Sequence, residues 1–362
     1  MRNNDFVIIM AGGIGSRFWP MSRTNYPKQF HDILGMGKSL IQMTYDRIKS
    51  FIPTENIFIV TNERYRDLVH EQLPEIRPQE VLLEPVGRNT APCIAYGMFK
   101  IRKRNPEAGV LVVGSDYLIR DTEGFRKDAE LALDACREDD RIMTLGIPPT
   151  HPNTGYGYIQ LIEEEEGIPQ DYYRVKTFTE KPTLEVAMTY LEIGDFLWNS
   201  GMFIFQLPTM LAAYKRLLPD MFDIFKDISD SYDTEQERTS IQDVYSLCQN
   251  ISVDVGIIED VDNRYVIKAS FDWSDLGTWG SVYDQLDKDY LKNGIQGEAM
   301  IFEASDNMVR ISDPKKLVVL NGLEGFVVVD TGDVLMICKK EKEQEIKEIV
   351  REVRKQHGDQ FA

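Results

Sequence analysis

The chain has 362 residues, 43% of them hydrophobic and 28% charged, a composition typical of a globular protein with one large domain and a smaller one. Its 41 Lys and Arg against 59 Asp and Glu give a formal charge of −18, so we expect no binding to nucleic acid or to an anionic membrane surface. Four widely spaced cysteines argue against a disulfide framework, and no apolar stretch is long enough for a membrane span or a signal peptide, so we predict a cytoplasmic protein.

Apolar runs alternate with helical patterns along the first part of the chain. The runs typical of buried strands are 6–10, 56–62, 80–85, 109–116 and 141–147. The segments with apolar residues at helical spacing are 39–51, 91–105 and 125–138. This alternation predicts an α/β fold with a Rossmann-like core, in which a mainly parallel, mixed sheet is covered by helices on both faces. Ligands bind such sheets beyond the carboxyl ends of the strands, where the glycine-rich stretch after the first run lies.

The middle of the chain, 151–290, has a more mixed pattern. Four strand-like runs are separated by helical segments such as 184–194. The acidic run 163–166 lies between turn-like segments, and we interpret it as a solvated hairpin tip. We assign the whole region to the same domain as the preceding strands.

The pattern changes near 287–299, where the helical segments stop. Short β-runs with turn residues follow at close spacing. The tail has four apolar residues at helical spacing, namely Ile346, Ile349, Val350 and Val353. We therefore predict a large domain over 1–288 and a small β-rich C-terminal domain over 289–362 that ends in a helix.

The stretch AGGIGSRFWPMSRTNYPKQF, residues 11–30, combines three glycines with two arginines and a lysine. It is neither a dinucleotide fingerprint nor a Walker loop, because Phe18 stands where the first needs glycine and Arg17 where the second needs Gly-Lys. A glycine-rich turn brings backbone N–H groups close to oxyanions, and Arg17, Arg23 and Lys28 can converge on the same charge. The alternative is a tight turn with solvated cations.

The same stretch resembles the signature of the sugar-phosphate nucleotidyltransferases, and its WPMSR continuation resembles the mannose-1-phosphate guanylyltransferase branch. Six later motifs follow in the order expected from that family. They are EPVGRNTAP (84–92), GSD (114–116), NTGYGYI (153–159), FTEKP (178–182), WNSGMF (198–203) and DWSDLGTW (272–279). The resemblance implies an enzyme that transfers GMP from GTP to mannose 1-phosphate, forming GDP-mannose and pyrophosphate. It further implies Mg²⁺-assisted in-line attack of the sugar phosphate on the α-phosphorus.

The resemblance also implies roles for individual residues, although each motif alone would be interpreted as a turn or a helix cap. Arg17 and Lys28 would neutralise the triphosphate and the leaving pyrophosphate, and Asp116 and Asp275 would hold Mg²⁺. The residues implied in nucleotide binding are Gly12, Gly13, Gly15, Ser16, Glu84, Arg88, Asn89 and Thr90. The residues implied in sugar binding are Gly157, Glu180, Lys181 and Asn199. One position departs from the family pattern, because Tyr117 follows Asp116 where the family usually has His.

Two other functions stay open. The same reaction with another nucleotide or another hexose 1-phosphate would depend on pocket residues rather than on the phosphate motifs. A non-catalytic nucleotide-sugar sensor is the alternative from a different class. The joint presence of Arg17, Lys28, Asp116 and Asp275 argues against a sensor, because a sensor needs no metal or leaving-group machinery.

The C-terminal pattern predicts a subunit contact. The apolar runs 326–329 and 334–338 and the stripe on the terminal helix exceed what so small a unit can bury, so we expect a homodimer. The alternative is that these residues pack back on the catalytic core. Some members of the family carry a longer C-terminus with a metal-dependent isomerase domain. Because His357 is the only histidine after His151, we expect no isomerase activity here.

Overall fold

Nine strands form a mixed sheet in the first of two compact units. The computed structural model describes residues 2–162 and 171–362, so the predicted hairpin tip at 163–166 lies outside the described residues. The first unit consists of the residues up to Gly12, Tyr45–Ser115 and Ile119–Trp273. The second consists of Gly13–Thr44, Asp116–Leu118 and Ser274–Ala362.

The strands of the first unit agree closely with the sequence prediction. In chain order they are β1 (Asp5–Met10), β2 (Ile57–Asn62), β3 (Val81–Glu84), β4 (Gly109–Gly114), β5 (Ile142–Ile147), β6 (Tyr158–Ile162), β7 (Tyr173–Thr179), β8 (Phe196–Gln206) and β9 (Arg264–Lys268). Their order across the sheet is β3-β2-β1-β4-β8-β5-β9-β7-β6.

The helices of the described residues include all those predicted and several more. In chain order they are α1 (Leu40–Lys49), α2 (Arg66–Gln72), α3 (Thr90–Arg104), α4 (Thr122–Glu138), α5 (Leu184–Ile193), α6 (Leu207–Leu217), α7 (Pro219–Asp227), α8 (Glu237–Leu247), α9 (Trp279–Gln285) and α10 (Ile346–His357). Within the part of the chain that the structure describes, none of them combines the length and apolarity needed to cross a bilayer.

The parallel half of the sheet determines where ligands can bind in the first unit. β3, β2, β1 and β4 pair in parallel, and Val7, Ile8 and Ile9 at the centre of β1 are completely buried. Such strands are apolar on both faces because helices cover both sides of the sheet. β8 then pairs antiparallel with both β4 and β5, which makes the sheet mixed. The carboxyl ends of β1, β3 and β4 therefore share one edge, where Gly12, Glu84 and Ser115 follow or end the strands.

The second unit is built from short strands of the C-terminal part of the chain. They are β10 (Gly294–Gln296), β11 (Glu298–Phe302), β12 (Met308–Ile311), β13 (Leu317–Asn321), β14 (Phe326–Asp330) and β15 (Leu335–Lys339). β10, β12 and β14 pair in parallel, β15 pairs antiparallel with β14, and β11 and β13 form a separate parallel pair. One core of this unit contains Phe18 and Trp279 together with Val327 and Ile346. Because that core includes residues of the glycine-rich stretch, the two compact units are not continuous in the sequence. The domain boundary at residue 288 stays a prediction.

The apolar runs of the C-terminal part and the stripe on α10 are buried only in part. Val327, Val328 and Val329 are at most 1% exposed, and most of the stripe on α10 packs into the same unit. Two small cores inside the unit cover the run 326–329, whereas Leu335 and Ile337 of the run 334–338 are exposed, so the expectation that the unit does not bury all of these residues is confirmed. The exposed apolar residues of these strands are Met300, Phe302, Leu317, Val319, Leu335 and Ile337.

Candidate active site

Lys28 connects three segments that are far apart in the sequence. Its side chain is 4% exposed, and Nζ donates to Asp116 Oδ2 at 2.9 Å and to the backbone oxygen of Asp275 at 2.6 Å. A buried ammonium group needs such partners, because an unpaired buried charge is costly. The structure thus brings together, inside the second unit, one predicted catalytic cation and both predicted metal ligands. We call Lys28, Asp116 and Asp275 the cation–carboxylate site.

Backbone pairing holds the two aspartates in place. Leu118 and Ser274 exchange two backbone hydrogen bonds, of 2.9 and 3.0 Å, so the residues on either side of them run next to each other. Asp275 Oδ1 accepts from the backbone N–H of Gly277 at 2.9 Å, which fixes the carboxylate on its own turn. An aspartate that accepts from the residue two positions later is a standard Asx turn. The turn forms locally, while the pairing is a long-range contact.

The donor set of this site fits a magnesium ion. Across residues 2–162 and 171–362, no group of three or more His, Cys, Asp and Glu side chains is arranged to hold a metal. Mg²⁺ does not require such a group, since it commonly takes one or two carboxylates and completes its shell with water and substrate phosphates. Asp116 and Asp275 supply two hard oxygen donors of this kind.

The glycine-rich turn approaches Lys28 more closely than any other residue type would allow. Gly15 has φ of 67°, and a Cβ there would lie 2.4 Å from Lys28 Cβ. Ser16 then begins a short 3₁₀ turn, and Gly13 is exposed. Arg17 in that turn is half-buried, and its Nε is buried without a hydrogen-bond partner among the described residues. A buried polar group usually has a partner, so an anion bound at this turn would satisfy Arg17.

Arg23 does not take part in this arrangement. Its Nη1 and Nη2 donate to the two carboxylate oxygens of Asp333 at 2.7 and 2.6 Å, and Nε donates to the backbone oxygen of Pro20 at 3.0 Å. Guanidinium groups favour this two-pronged pairing with carboxylates. The expectation that Arg23 converges with Arg17 and Lys28 on one anion is therefore wrong.

Glu343 contacts the first turn of α9, which follows the turn that carries Asp275. Its Oε2 accepts from the backbone N–H of Gly280 at 2.7 Å, close to the start of α9. Burial raises the pKa of Glu343, while that hydrogen bond and the charge of Arg17 act in the opposite direction. The sequence contains no motif that identifies Glu343, because it lies in a charged run that is typical of a solvated surface.

Glu84 ends β3 as a buried carboxyl group. Tyr245 Oη donates to Glu84 Oε1 at 2.9 Å, and a Cβ on Gly12 would lie 3.1 Å from Oε2. Burial raises the pKa of Glu84 to about 7, and the hydrogen bond from Tyr245 opposes the shift. The first unit therefore contains a carboxyl group that can change its protonation near neutral pH, next to the exposed Gly12.

The rest of the predicted nucleotide-binding loop is occupied by contacts within the first unit. Arg88 Nε donates to the backbone oxygen of Tyr245 at 3.3 Å. The Asn89 side chain accepts from Thr90 N at 2.9 Å and so caps α3, while Thr90 Oγ1 accepts from Val253 N at 2.9 Å. Taken without the family resemblance, Thr90 would be predicted as the cap of this helix, but Asn89 performs that role. Nucleotide binding by these residues stays a prediction.

The predicted sugar-binding residues lie together in the first unit. A Cβ on Gly157 would lie 2.7 Å from Glu180 Oε2 and 3.3 Å from Asn199 Cβ, so glycine leaves the space beside both side chains open. Asn199 N donates to the Gly157 oxygen at 2.8 Å, and Asn199 Oδ1 accepts from Gly201 N at 3.1 Å. Lys181 is 62% exposed with φ of 46°, and its Nζ donates to Glu180.

Asp254 joins these residues, and no sequence motif identifies it. Asn199 Nδ2 donates to Asp254 Oδ1 at 2.8 Å. Burial raises the pKa of Asp254 to about 6, and the negative charge of Glu180 adds to the shift. Asp254 begins a short π-helical turn, Asp254–Ile258, a rare conformation that often occurs at functional sites. We call Gly157, Glu180, Asn199 and Asp254 the carboxylate–amide cluster.

The chain is similar to known proteins over nearly its whole length. Residues 6–292 match a family model described as nucleotidyl transferase, and residues 297–353 match a MannoseP isomerase/GMP-like beta-helix domain. The mannose-1-phosphate guanylyltransferase RfbM of Salmonella typhimurium is 35% identical over 366 residues, which cover 98% of this chain and 75% of that protein. A mannose-1-phosphate guanylyltransferase of Salmonella montevideo is 36% identical over 353 residues, covering 96% and 73%.

A solved structure agrees with the architecture described above. The crystal structure of a protein described as mannose-1-phosphate geranyltransferase from Thermus thermophilus superimposes with a TM-score of 0.86 at 29% identity. The match covers 97% of this chain and 99% of that one. The predicted α/β core with a β-rich C-terminal domain is therefore confirmed.

Proposed function

The chain belongs to the nucleotidyl transferase family, and within this family we propose that it transfers GMP from GTP to mannose 1-phosphate. The resemblance indicated by the sequence motifs is thereby confirmed at the level of the family, and the chain is an enzyme of this class. The choice of guanylyl group and of mannose follows from the names of the relatives. The observation that carries the proposal is the convergence of Lys28 on Asp116 and on the turn of Asp275.

The proposed reaction requires charge neutralisation above all. An oxygen of the sugar phosphate attacks the α-phosphorus, the bond from that phosphorus to the β-phosphate oxygen breaks, and pyrophosphate leaves with the electron pair. Lys28 and Arg17 would bind the phosphate oxygens, and the backbone N–H groups of the glycine-rich turn would hold the triphosphate. Positioning of this kind supplies most of the rate enhancement in phosphoryl and nucleotidyl transfer.

Asp116 and Asp275 are the residues that would hold Mg²⁺. When bound, the ion would screen phosphate charge and orient the reacting groups. The carboxylate–amide cluster offers acceptors in Glu180 and Asp254 for hexose hydroxyls and a donor in Asn199. Glu84 and the loop that follows it, with Arg88, Asn89 and Thr90, would contact the base of the nucleotide.

The test measures pyrophosphate release with each of the four nucleoside triphosphates against mannose 1-phosphate and other hexose 1-phosphates. We expect the highest kcat/KM with GTP and mannose 1-phosphate, and no release without added divalent cation. A higher kcat/KM with another nucleotide or hexose would transfer the proposal to that substrate pair. No pyrophosphate release with any pair would contradict catalysis altogether.

We also propose that the protein is a cytoplasmic homodimer. The support for a dimer is the outward face of the β11–β13 pair, where Met300, Phe302, Leu317 and Val319 are between 47% and 55% exposed. A contiguous apolar face of this kind is a common protein-contact surface. The support for the location is that all four cysteines are buried and free. Light scattering should give the mass of a dimer for the intact chain and of a monomer for Phe302→Asp; a monomeric intact chain at micromolar concentration would contradict the proposal.

A further inference from the structure

A cavity of about 310 Å³ lies inside the second unit, where α10 faces the segment 14–24. Its lining includes four cationic side chains and three hydroxyl groups, and no Asp or Glu is among the described residues that line it. Neither Lys28 nor Asp116 nor Asp275 borders the cavity, so it is separate from the cation–carboxylate site. A volume near 300 Å³ is at the lower end of the range of small-molecule sites, roughly 300–1,000 Å³.

Three of the four cations lie on one face of α10. Lys347, Arg351 and Arg354 are spaced four and three residues apart, which places them on the same side of a helix. Val350 also borders the cavity and is 7% exposed, whereas the three cationic side chains are exposed. Lys355 is as exposed as Arg351, at 77%, but does not border the cavity.

The cationic side chains differ in how far they are already engaged. Arg23 is already paired with Asp333 through both terminal nitrogens, and it also donates to Thr331 Oγ1 and to the backbone oxygen of Pro20. Arg354 is fixed in position, because its Nη2 donates to Thr24 Oγ1 at 2.7 Å and its Nε to Asp359 at 2.8 Å. Arg351 is 77% exposed, and its ion pair with Glu348 is 3.9 Å long, beyond hydrogen-bonding distance. Arg354 thus offers a guanidinium group that is held in place, and Arg351 offers one with N–H donors still available. Two such groups favour the binding of a tetrahedral oxyanion.

We propose that this cavity binds the phosphate group of a small phosphate monoester, with Arg351, Arg354 and Lys347 as the cations and Ser16 as a hydroxyl donor. Ser16 is the residue before Arg17, so a ligand here would hold the glycine-rich turn in one conformation. The site therefore offers a means of regulating nucleotide binding by a phosphorylated metabolite. Sugar phosphates and nucleoside monophosphates share the recognised group.

The test uses inorganic phosphate as the probe and removes the other phosphate-binding cations first. In Arg17→Ala/Lys28→Ala, we expect phosphate to raise Tm in a saturable manner, because a ligand that binds only the folded state stabilises it. Adding Lys347→Ala/Arg351→Ala should weaken phosphate binding by roughly tenfold or more, because hydrogen bonds to charged groups are the strong ones. Lys355→Ala, on the same helix but not bordering the cavity, is the matched control and should leave binding unchanged. Loss of binding in Arg17→Ala/Lys28→Ala, or unchanged binding after Lys347→Ala/Arg351→Ala, would overturn the proposal.

A second measurement avoids substitutions in the turn. With the otherwise unchanged protein saturated with GDP-mannose, phosphate should still raise Tm, and Lys347→Ala/Arg351→Ala should remove most of that effect. Glucose 6-phosphate and GMP then distinguish the two sources of the group by competition calorimetry. Displacement of phosphate by either supports the proposal, and displacement by neither contradicts it. Pyrophosphate release is measured separately, so failure here leaves the proposed reaction untouched.

Discussion

Lys28→Met is the substitution that tests the cation–carboxylate site most directly. Methionine keeps an unbranched side chain next to Gly15 and removes the ammonium group with its charge and its N–H donors. If Lys28 neutralises phosphate charge in the transition state, kcat should fall by about 10²–10³, which corresponds to roughly 2.7–4 kcal/mol of lost transition-state stabilisation. Arg17 would remain and cannot compensate fully, because it is held on a different turn.

The fold should survive this substitution. The Asp116 side chain is 39% exposed and can be solvated when its partner is removed, so the lost ion pair costs about 1 kcal/mol or less. The backbone oxygen of Asp275 loses a charged hydrogen bond, worth about 1.5–3 kcal/mol. Both together stay below the roughly 5–15 kcal/mol that stabilises a typical domain. Thermal unfolding should therefore show a moderate drop in Tm with a cooperative transition.

The assay is steady-state pyrophosphate release with both substrates varied. The exposed Lys315→Met serves as the matched control and should behave as the unsubstituted protein. If Lys28→Met keeps kcat within about fivefold of normal and changes only KM, the lysine contributes binding that is equal in ground and transition states, and the reasoning above is refuted.

Asp116→Asn and Asp275→Asn should each abolish most activity and weaken Mg²⁺ binding in calorimetry with GDP-mannose present; unchanged metal affinity in both would remove them from the metal site. Glu84→Gln should alter the pH dependence of stability: the folded protein holds the Glu84 proton up to about pH 7 against an ordinary pKa of 4.5, so this stabilisation is complete below about 4.5 and is lost as pH rises through 7. Urea unfolding should show that the free energy of unfolding of the unsubstituted protein falls by up to about 3 kcal/mol between pH 5 and 8, a loss that Glu84→Gln does not share. Parallel plots of unfolding free energy against pH for the two proteins would contradict the raised pKa of Glu84. Gly157→Ala would place a Cβ 2.7 Å from Glu180 Oε2, so KM for the hexose phosphate should rise by about tenfold or more with KM for the nucleotide nearly unchanged; an equal rise in both would mean a general distortion.

The buried strands could be predicted because their signal is local. A parallel strand that is covered on both faces is continuously apolar, and the runs 6–10 and 109–116 coincide with β1 and β4 to within two residues. Helices α6–α8 were harder to predict, because their apolar residues lie among polar ones and the segment is interrupted by turns. The antiparallel insertion of β8 between β4 and β5 depends on contacts between distant residues, which no local pattern contains.

The same distinction applies to the candidate site. Glycines and cations of the turn are visible as a motif because the chemistry demands particular residue types in one short segment. Asp254 is different, since its position next to the predicted sugar-binding residues depends on a hydrogen bond from Asn199 across 55 positions of the chain. Arg23 shows the opposite error, because a cation inside a motif can be used by a distant carboxylate such as Asp333. Residue type and spacing therefore identify the groups that can contact a ligand, while long-range partners decide which of them do.

The glycine-rich turn also makes long-range contacts with the C-terminal part of the chain. These contacts determine how the proposed subunit contact can be tested. Trp19 Nε1 donates to the backbone oxygen of Phe361 at 2.6 Å, and Trp279 Nε1 donates to the backbone oxygen of Trp19 at 3.2 Å. Phe18 packs edge-on against Trp279, with ring centroids 5.1 Å apart. A chain shortened after Lys288 would lose the Phe361 contact and part of the core around the turn, so its inactivity would not separate a lost subunit contact from a damaged site. Single substitutions on the exposed face of β11 and β13 leave that core intact, and only they can assign a change in mass to the subunit contact.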